Sequence, residues 1–125
     1  MNRKLRVKVC GLREPANIGK IVRLGIDYAG FIFYRASPRF VEEIDPQFIR
    51  GLKVSCSQVA VFVDERLDKI GEIIERFGFD AVQLHGADNR KLCRKIRQEA
   101  KTMVIKVFPI MDASNFRVTG DYEDV

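Results

Sequence analysis

A chain of 125 residues, 46% apolar and 31% charged, has the balance of one globular domain: long enough to bury a core, short for two. Its formal charge of +5 admits an anionic ligand, but much of it falls on Arg90, Lys91, Arg94, Lys95 and Arg97, which read as a solvated helix face. Basic and aromatic residues do not interleave as in nucleic-acid binders, no apolar run reaches the ~18 residues that span a bilayer, and residues 1–6 carry no signal core. No nucleic-acid or membrane partner is therefore expected, and a cytoplasmic location is.

Short β-branched runs alternate with amphipathic segments along the whole chain. Residues 5–10 (LRVKVC) predict a first strand. Glu14 and Pro15 then open a helix with Ile18, Ile21 and Val22 on one face, and Gly25 stands where a left-handed cap would end it. Residues 27–34 (DYAGFIFY) predict the second strand. Asp45 is placed to cap a short helix running to about Leu52, with Pro46 in the first helical position, where its missing N–H costs nothing.

Residues 58–63 (QVAVFV) predict the third strand. Leu67, Ile70, Ile73, Ile74 and Phe77 follow at helical spacing, with Gly78 as the stop. The fourth strand is 80–86 (DAVQLHG), after which Asp88 can cap a helix whose buried stripe includes Leu92, Cys93 and Ile96. Residues 102–108 (TMVIKVF) predict the fifth strand, and 109–125 form a polar, weakly patterned tail with room for a helical turn or two.

Five strands separated by four helices are the mark of consecutive βαβ units, hence of a parallel sheet. An open doubly wound sheet suits the length, whereas a closed eightfold barrel needs about 200 residues. Three cysteines, Cys10, Cys56 and Cys93, are an odd number at wide spacing, so neither a disulfide framework nor a zinc site is expected. By residue type alone each reads as a buried, inert thiol.

The strand ends carry a more specific signal. The segments KVCGL (8–12), GFIFYRASPRFV (30–41), VAVFVDE (59–65), VQLHG (82–86) and VIKVF (104–108) stand in one order at nearly uninterrupted spacing. Together they resemble the phosphoribosylanthranilate isomerase family of tryptophan biosynthesis. The resemblance implies an α/β fold of the parallel (β/α)8 TIM-barrel family, here incomplete, with about five strands and four helices. Residues 1–125 are then a single partial barrel, and 109–125 the tail before a sixth strand. The open doubly wound sheet is the alternative.

The reaction implied is the Amadori rearrangement of N-(5'-phosphoribosyl)anthranilate to 1-(2-carboxyphenylamino)-1-deoxyribulose 5-phosphate. It needs one general acid and one general base, and no metal or organic cofactor. The family's base is the cysteine that ends strand 1, here Cys10, at the face where barrel enzymes place their chemistry. Lys8, two residues earlier, shares its side of the strand and is a source of a favourable field for a thiolate. Arg39 matches the arginine that meets the anthranilate carboxylate, and Gln83 and His85 alternate onto the same rim as a polar lining.

The family's acid is an aspartate ending strand 6, and its phosphate loops follow strands 7 and 8. No residue here inherits those roles; Asp121 and Asp124 belong to the tail. The rival expectation is a catalytically inactive half-barrel, or a module that forms homo-oligomers through the open edges of strands 1 and 5.

Overall fold

The computed structural model describes residues 4–87 and 90–123. Its elements are β1 (Lys8–Val9), α1 (Pro15–Val22), β2 (Tyr28–Ile32), α2 (Pro46–Gly51) with a 3-10 turn (Leu52–Val54), β3 (Ser57–Val63), α3 (Leu67–Phe77), β4 (Ala81–His85), α4 (Arg90–Glu99) and β5 (Met103–Lys106). A 3-10 segment, Ala113–Tyr122, ends the described chain. The expected cap Asp88 and the tail residue Asp124 lie outside the described residues.

The strands pair in parallel in the order β1-β2-β3-β4-β5. That order decides between the two architectures. A doubly wound sheet reverses strand order at a switch point and covers both faces with helices, whereas an unbroken sequential order keeps every helix on one side.

Side-chain alternation confirms the one-sided cover. Ala29, Phe31, Ala60, Phe62, Val82 and Leu84 form one core with Ile18 of α1, Ile49 of α2, Ile70 and Phe77 of α3, and Cys93 and Ile96 of α4. On the other face Ile32, Val59, Val61 and Ala81 form a second cluster, joined by Cys10, Tyr28 and Ile105 and by no described helix residue. Members drawn from the end of β1 through to β5 share this face. It is the inner wall of a barrel sector, and the sheet is not closed.

Most local signals act as the residue types predict. The Asp45 carboxylate accepts the Gln47 N–H at 2.9 Å ahead of Pro46, and Gly78 ends α3 at φ 72°, where its N–H donates to the Ile74 carbonyl at 2.7 Å. The strands are shorter than the β-branched runs suggest, most of all β1, which keeps two of the six residues expected. It is an edge strand with one neighbour; Leu5 is 83% exposed, and the Val7 N–H goes to the Asp27 carboxylate rather than to a ladder carbonyl. At the other edge β5 keeps only Met103–Lys106.

The tail is more ordered than its composition suggests. Asp112 accepts from the Ser114 N–H at 2.8 Å while the Asn115 side chain accepts from the Asp112 N–H at 3.0 Å, a reciprocal cap that starts the 3-10 segment. At its far end Tyr122 meets the Phe108 ring edge-on, centroids 5.0 Å apart, which ties the tail to the end of β5.

Arg50 of α2 reaches across to the end of α3, donating from Nη2 to the Glu75 carbonyl at 2.7 Å and the Arg76 carbonyl at 3.1 Å. Those carbonyls have no partner inside their own helix, and a cation there also opposes the helix dipole. Arg50→Ala is expected to cost about 1 kcal/mol, read as a lower urea midpoint. Arg50→Lys should recover only part of it, since one ammonium cannot reproduce the planar fork.

Candidate active site

The carboxyl ends of the strands converge at the inner wall, and β1 sets the centre of the site. Directly after Val9 the chain leaves the ladder: the N–H groups of Gly11 and Leu12 both donate to the Gly30 carbonyl, at 3.0 and 3.1 Å. This turn places Cys10 at the rim, half-buried. Gly11 has φ +82°, and a Cβ there would fall 2.7 Å from Cδ of Arg39. Arg39 therefore lies directly over the turn, and its Nη1 donates to the Cys10 carbonyl at 3.3 Å.

The loop after β2 delivers Arg39 to that position. Phe40 donates its N–H to the Ser37 carbonyl at 3.1 Å, Arg39 donates its own to Ser37 Oγ at 3.2 Å, and Arg13 Nη1 donates to the Pro38 carbonyl at 3.1 Å. Val41 then donates to the Ile32 carbonyl at 2.9 Å, returning the chain to the sheet. The serine and proline of "SPRF" thus act as a turn that fixes an arginine over the end of β1.

Gly30 supplies the room beneath. A Cβ on Gly30 would sit 3.2 Å from Cys10 Sγ and 3.2 Å from Lys8 Cε. A side chain on Gly30 would crowd both, so Lys8 and Cys10 share one face against β2, as alternation predicts.

On β4, Gln83 and His85 face the same wall. Gln83 Nε2 is 3.1 Å from His85 Nε2, a contact whose direction follows the tautomer of the ring. Burial holds the His85 pKa below its ordinary value, and the Lys8 and Lys106 cations lower it further. The influence of Lys8 on His85 links the β1 and β4 parts of the site. The structure groups Lys8, Cys10 and Arg39 at the end of β1 and pairs Gln83 with His85 on β4.

The lowered His85 value has a consequence for stability. Above about pH 6.5, the ordinary histidine value, folded and unfolded chains both hold a neutral ring and the group contributes no pH dependence. As pH falls below that, the unfolded chain takes up a proton that the folded chain resists, so stability is lost. His85→Asn is expected to reduce the drop in urea midpoint between pH 7.5 and pH 5; an unchanged drop would assign it to other groups.

The other two thiols are set apart. Cys93 is fully buried on α4. Cys56 is buried before β3, and its pKa is raised by burial and by the nearby Asp80 charge, partly offset by a backbone hydrogen bond with Ala29. Neither reaches the rim. A cavity of about 980 Å³ between the loop after β2 and α3, lined by Phe33, Arg35, Glu72 and Phe77 among others, includes none of the five site residues. Among the described residues no three His, Cys, Asp or Glu side chains are grouped to hold a metal ion.

Three contributors were not anticipated: Gly30, Asp64 and Lys106. All three lie inside the quoted segments, but the reason each is needed is a cross-strand contact. The available signal for Asp64 was an Asx residue at a strand end, a type that tolerates left-handed backbone.

Residues 7–124 match the family described as N-(5'-phosphoribosyl)anthranilate (PRA) isomerase. The chain belongs to this isomerase family. It is 40% identical over 119 residues to the N-(5'-phosphoribosyl)anthranilate isomerase of Phocaeicola vulgatus, covering 95% of this chain and 56% of that one. To the same enzyme of Parabacteroides distasonis it is 36% identical, covering 94% of this chain and 53% of the relative. The chain spans about half the length of the curated relatives it matches.

Among solved structures, a dimeric phosphoribosylanthranilate isomerase from Thermotoga maritima, crystallised as monomers, superposes with TM-score 0.82 at 32% identity, over 97% of this chain and 62% of that chain. A phosphoribosylanthranilate isomerase bound to reduced 1-(o-carboxyphenylamino)-1-deoxyribulose 5-phosphate gives the same score, identity and coverage. The partial sheet is thus a sector of this isomerase family's barrel. Among the described residues no helix is long and apolar enough to cross a membrane.

Proposed function

We propose that this chain carries the general-base side of a phosphoribosylanthranilate isomerase site. The observation that supports it best is the contact of Arg39 with the Cys10 carbonyl at the end of β1, inside a family match that runs from residue 7 to residue 124. Protonation of the ribose ring oxygen breaks its bond to C1 and leaves a C1=N iminium. The Cys10 thiolate takes the C2 proton, the C2–H electrons form a C1=C2 bond, and the C1=N electrons return to nitrogen. The resulting enolamine gains a proton at C1 and loses its enol proton, which yields the aminoketose.

Arg39 is suited to pair the anthranilate carboxylate through two bonds. Gln83 and the neutral His85 line the sugar side, and Lys8 places positive charge beside the thiol. The ring-oxygen acid and the phosphate-binding loops are assigned to no residue of this chain. The substrate is a small phosphorylated molecule, a cytoplasmic location accompanies a biosynthetic role, and residues 1–125 are one partial-barrel domain with 109–125 as its tail.

The test is fragment complementation. This chain, mixed with the carboxyl-terminal half of the Phocaeicola vulgatus enzyme, is expected to consume phosphoribosylanthranilate, followed by loss of its fluorescence, at a rate neither part shows alone. A mixture that forms a complex and still shows no turnover would count against the assignment.

A second reading is an oligomerising module without activity. It is favoured by the two strands with a single neighbour, β1 and β5, and by Met103, 49% exposed on the latter. Light scattering after size exclusion separates the readings, because a clean monomer at high concentration would remove the module.

A further inference from the structure

At the carboxyl end of β4, three consecutive residues are each held by one bond from a neighbouring strand. The Asp64 N–H donates to the His85 carbonyl at 3.4 Å, Lys106 Nζ donates to the Gly86 carbonyl at 3.2 Å, and the Ala87 N–H donates to Asp64 Oδ1 at 2.6 Å. Asp64 stands one residue past Val63, the register partner of His85, and its φ is 48°. That left-handed turn points both its N–H and its carboxylate at β4. Gly86 has φ +88°, and any Cβ there would collide with the Asp64 carboxylate.

A strand that merely had to stop would be served better by glycine at this position, since the left-handed region is disfavoured for an L side chain. Only a side chain with a short acceptor gains something in exchange. Here that gain is the charge-assisted bond to Ala87, which locks the turn immediately following the site histidine.

We infer that Asp64 is a positioning residue: its carboxylate, with Lys106 from the opposite side, fixes the Gly86–Ala87 turn and so holds the His85 ring against Gln83. Asp64 itself touches no reacting atom. For its catalytic meaning this rests on the reading that Gln83 and His85 line the substrate; its structural content does not.

His85 is the single histidine of the chain, so its ring nitrogens can be followed by long-range 1H–15N NMR without assignment. The parent, held against Gln83, should show one tautomer with widely separated nitrogen shifts. In Asp64→Ala the two shifts should move towards each other as the ring averages between orientations, and the Ala87 amide should exchange about tenfold faster, the factor expected of one lost hydrogen bond.

Asp64→Gly accepts the φ without strain and lacks the acceptor, so it keeps the test open should the alanine variant fold poorly; it should behave like alanine. Asp64→Asn retains an acceptor and should restore the parent spectrum. A glycine variant with the parent's ring signals, or an asparagine variant as averaged as alanine, would overturn the inference. Anthranilate added to the parent asks the separate question: His85 signals that do not respond would count against the isomerase reading of this face, while the ring comparison stands without any substrate.

Discussion

Cys10→Ala should lower isomerisation by the complemented enzyme about 10²- to 10⁴-fold, the range that one positioned general base contributes, while costing no more than about 1 kcal/mol of stability. The two effects separate because Cys10 is half-buried at the rim, outside the helix-side core. Cys93→Ala should do the reverse. Its thiol is fully buried between α4 and the sheet, so its removal leaves a small void and costs about 1–2 kcal/mol with turnover retained. Comparing kcat and urea midpoint for the two variants checks both halves. Equal turnover by Cys10→Ala and the parent would remove the base assignment, and loss of turnover in Cys93→Ala beyond its loss of folded fraction would show that the thiols are not distinguished by position.

Phe62→Ala should cost about 3–5 kcal/mol, the range for truncating a buried aromatic side chain. Phe62 is fully buried in the middle of β3, the central strand, and stacks on Phe33 with centroids 5.7 Å apart. Phe33 in turn packs against Phe77 of α3 and Phe79 before β4, so one truncation opens a void at the junction of β2, β3 and α3. A domain of this size has about 5–15 kcal/mol in total. The variant is therefore expected to be largely unfolded in low urea, followed by far-UV circular dichroism. Phe62→Leu should lose about half as much or less, because most of the volume is kept. A midpoint for Phe62→Ala within error of the parent would mean that β3 is not the centre of the core.

Helix ends and their faces were legible in the sequence because each depends on neighbours a few residues away. Asp45 and Pro46 start α2, Gly78 stops α3, and Ile70, Ile73 and Phe77 fall on one side of a turn repeating every 3.6 residues; none of this needs a distant partner. Strand limits were less legible. LRVKVC reads as six strand residues, but a strand exists only where another chain segment pairs with it, and β1 has a partner on one side for two residues. The tail misled in the other direction, since its reciprocal Asp112–Asn115 cap and the Tyr122–Phe108 contact give order to a segment with weak hydrophobic periodicity.

The candidate site divides in the same way. Cys10, Lys8, Gln83 and His85 could be placed on common faces by alternation alone, and Arg39 entered through its segment's likeness to a family. That Arg39 rests on the Cys10 carbonyl, that Gly30 leaves the space for Lys8 and Cys10, and that Asp64 holds the turn after His85 are contacts across 20 or more residues of chain. No local pattern encodes them.

By itself the sequence determined the βαβ alternation, the capping of its helices, the type of residue at each strand end and, through five ordered segments, the family. That family likeness favoured a barrel over the doubly wound sheet, and the tertiary structure bears it out by strand order, which is set by which edges pair and not by an alternation of elements that both architectures share. The tertiary structure alone decided which thiol reaches the rim. Burial is a property of the packed chain: of three cysteines with the same chemistry, the packing leaves Cys10 half-open at a strand end and encloses Cys56 and Cys93.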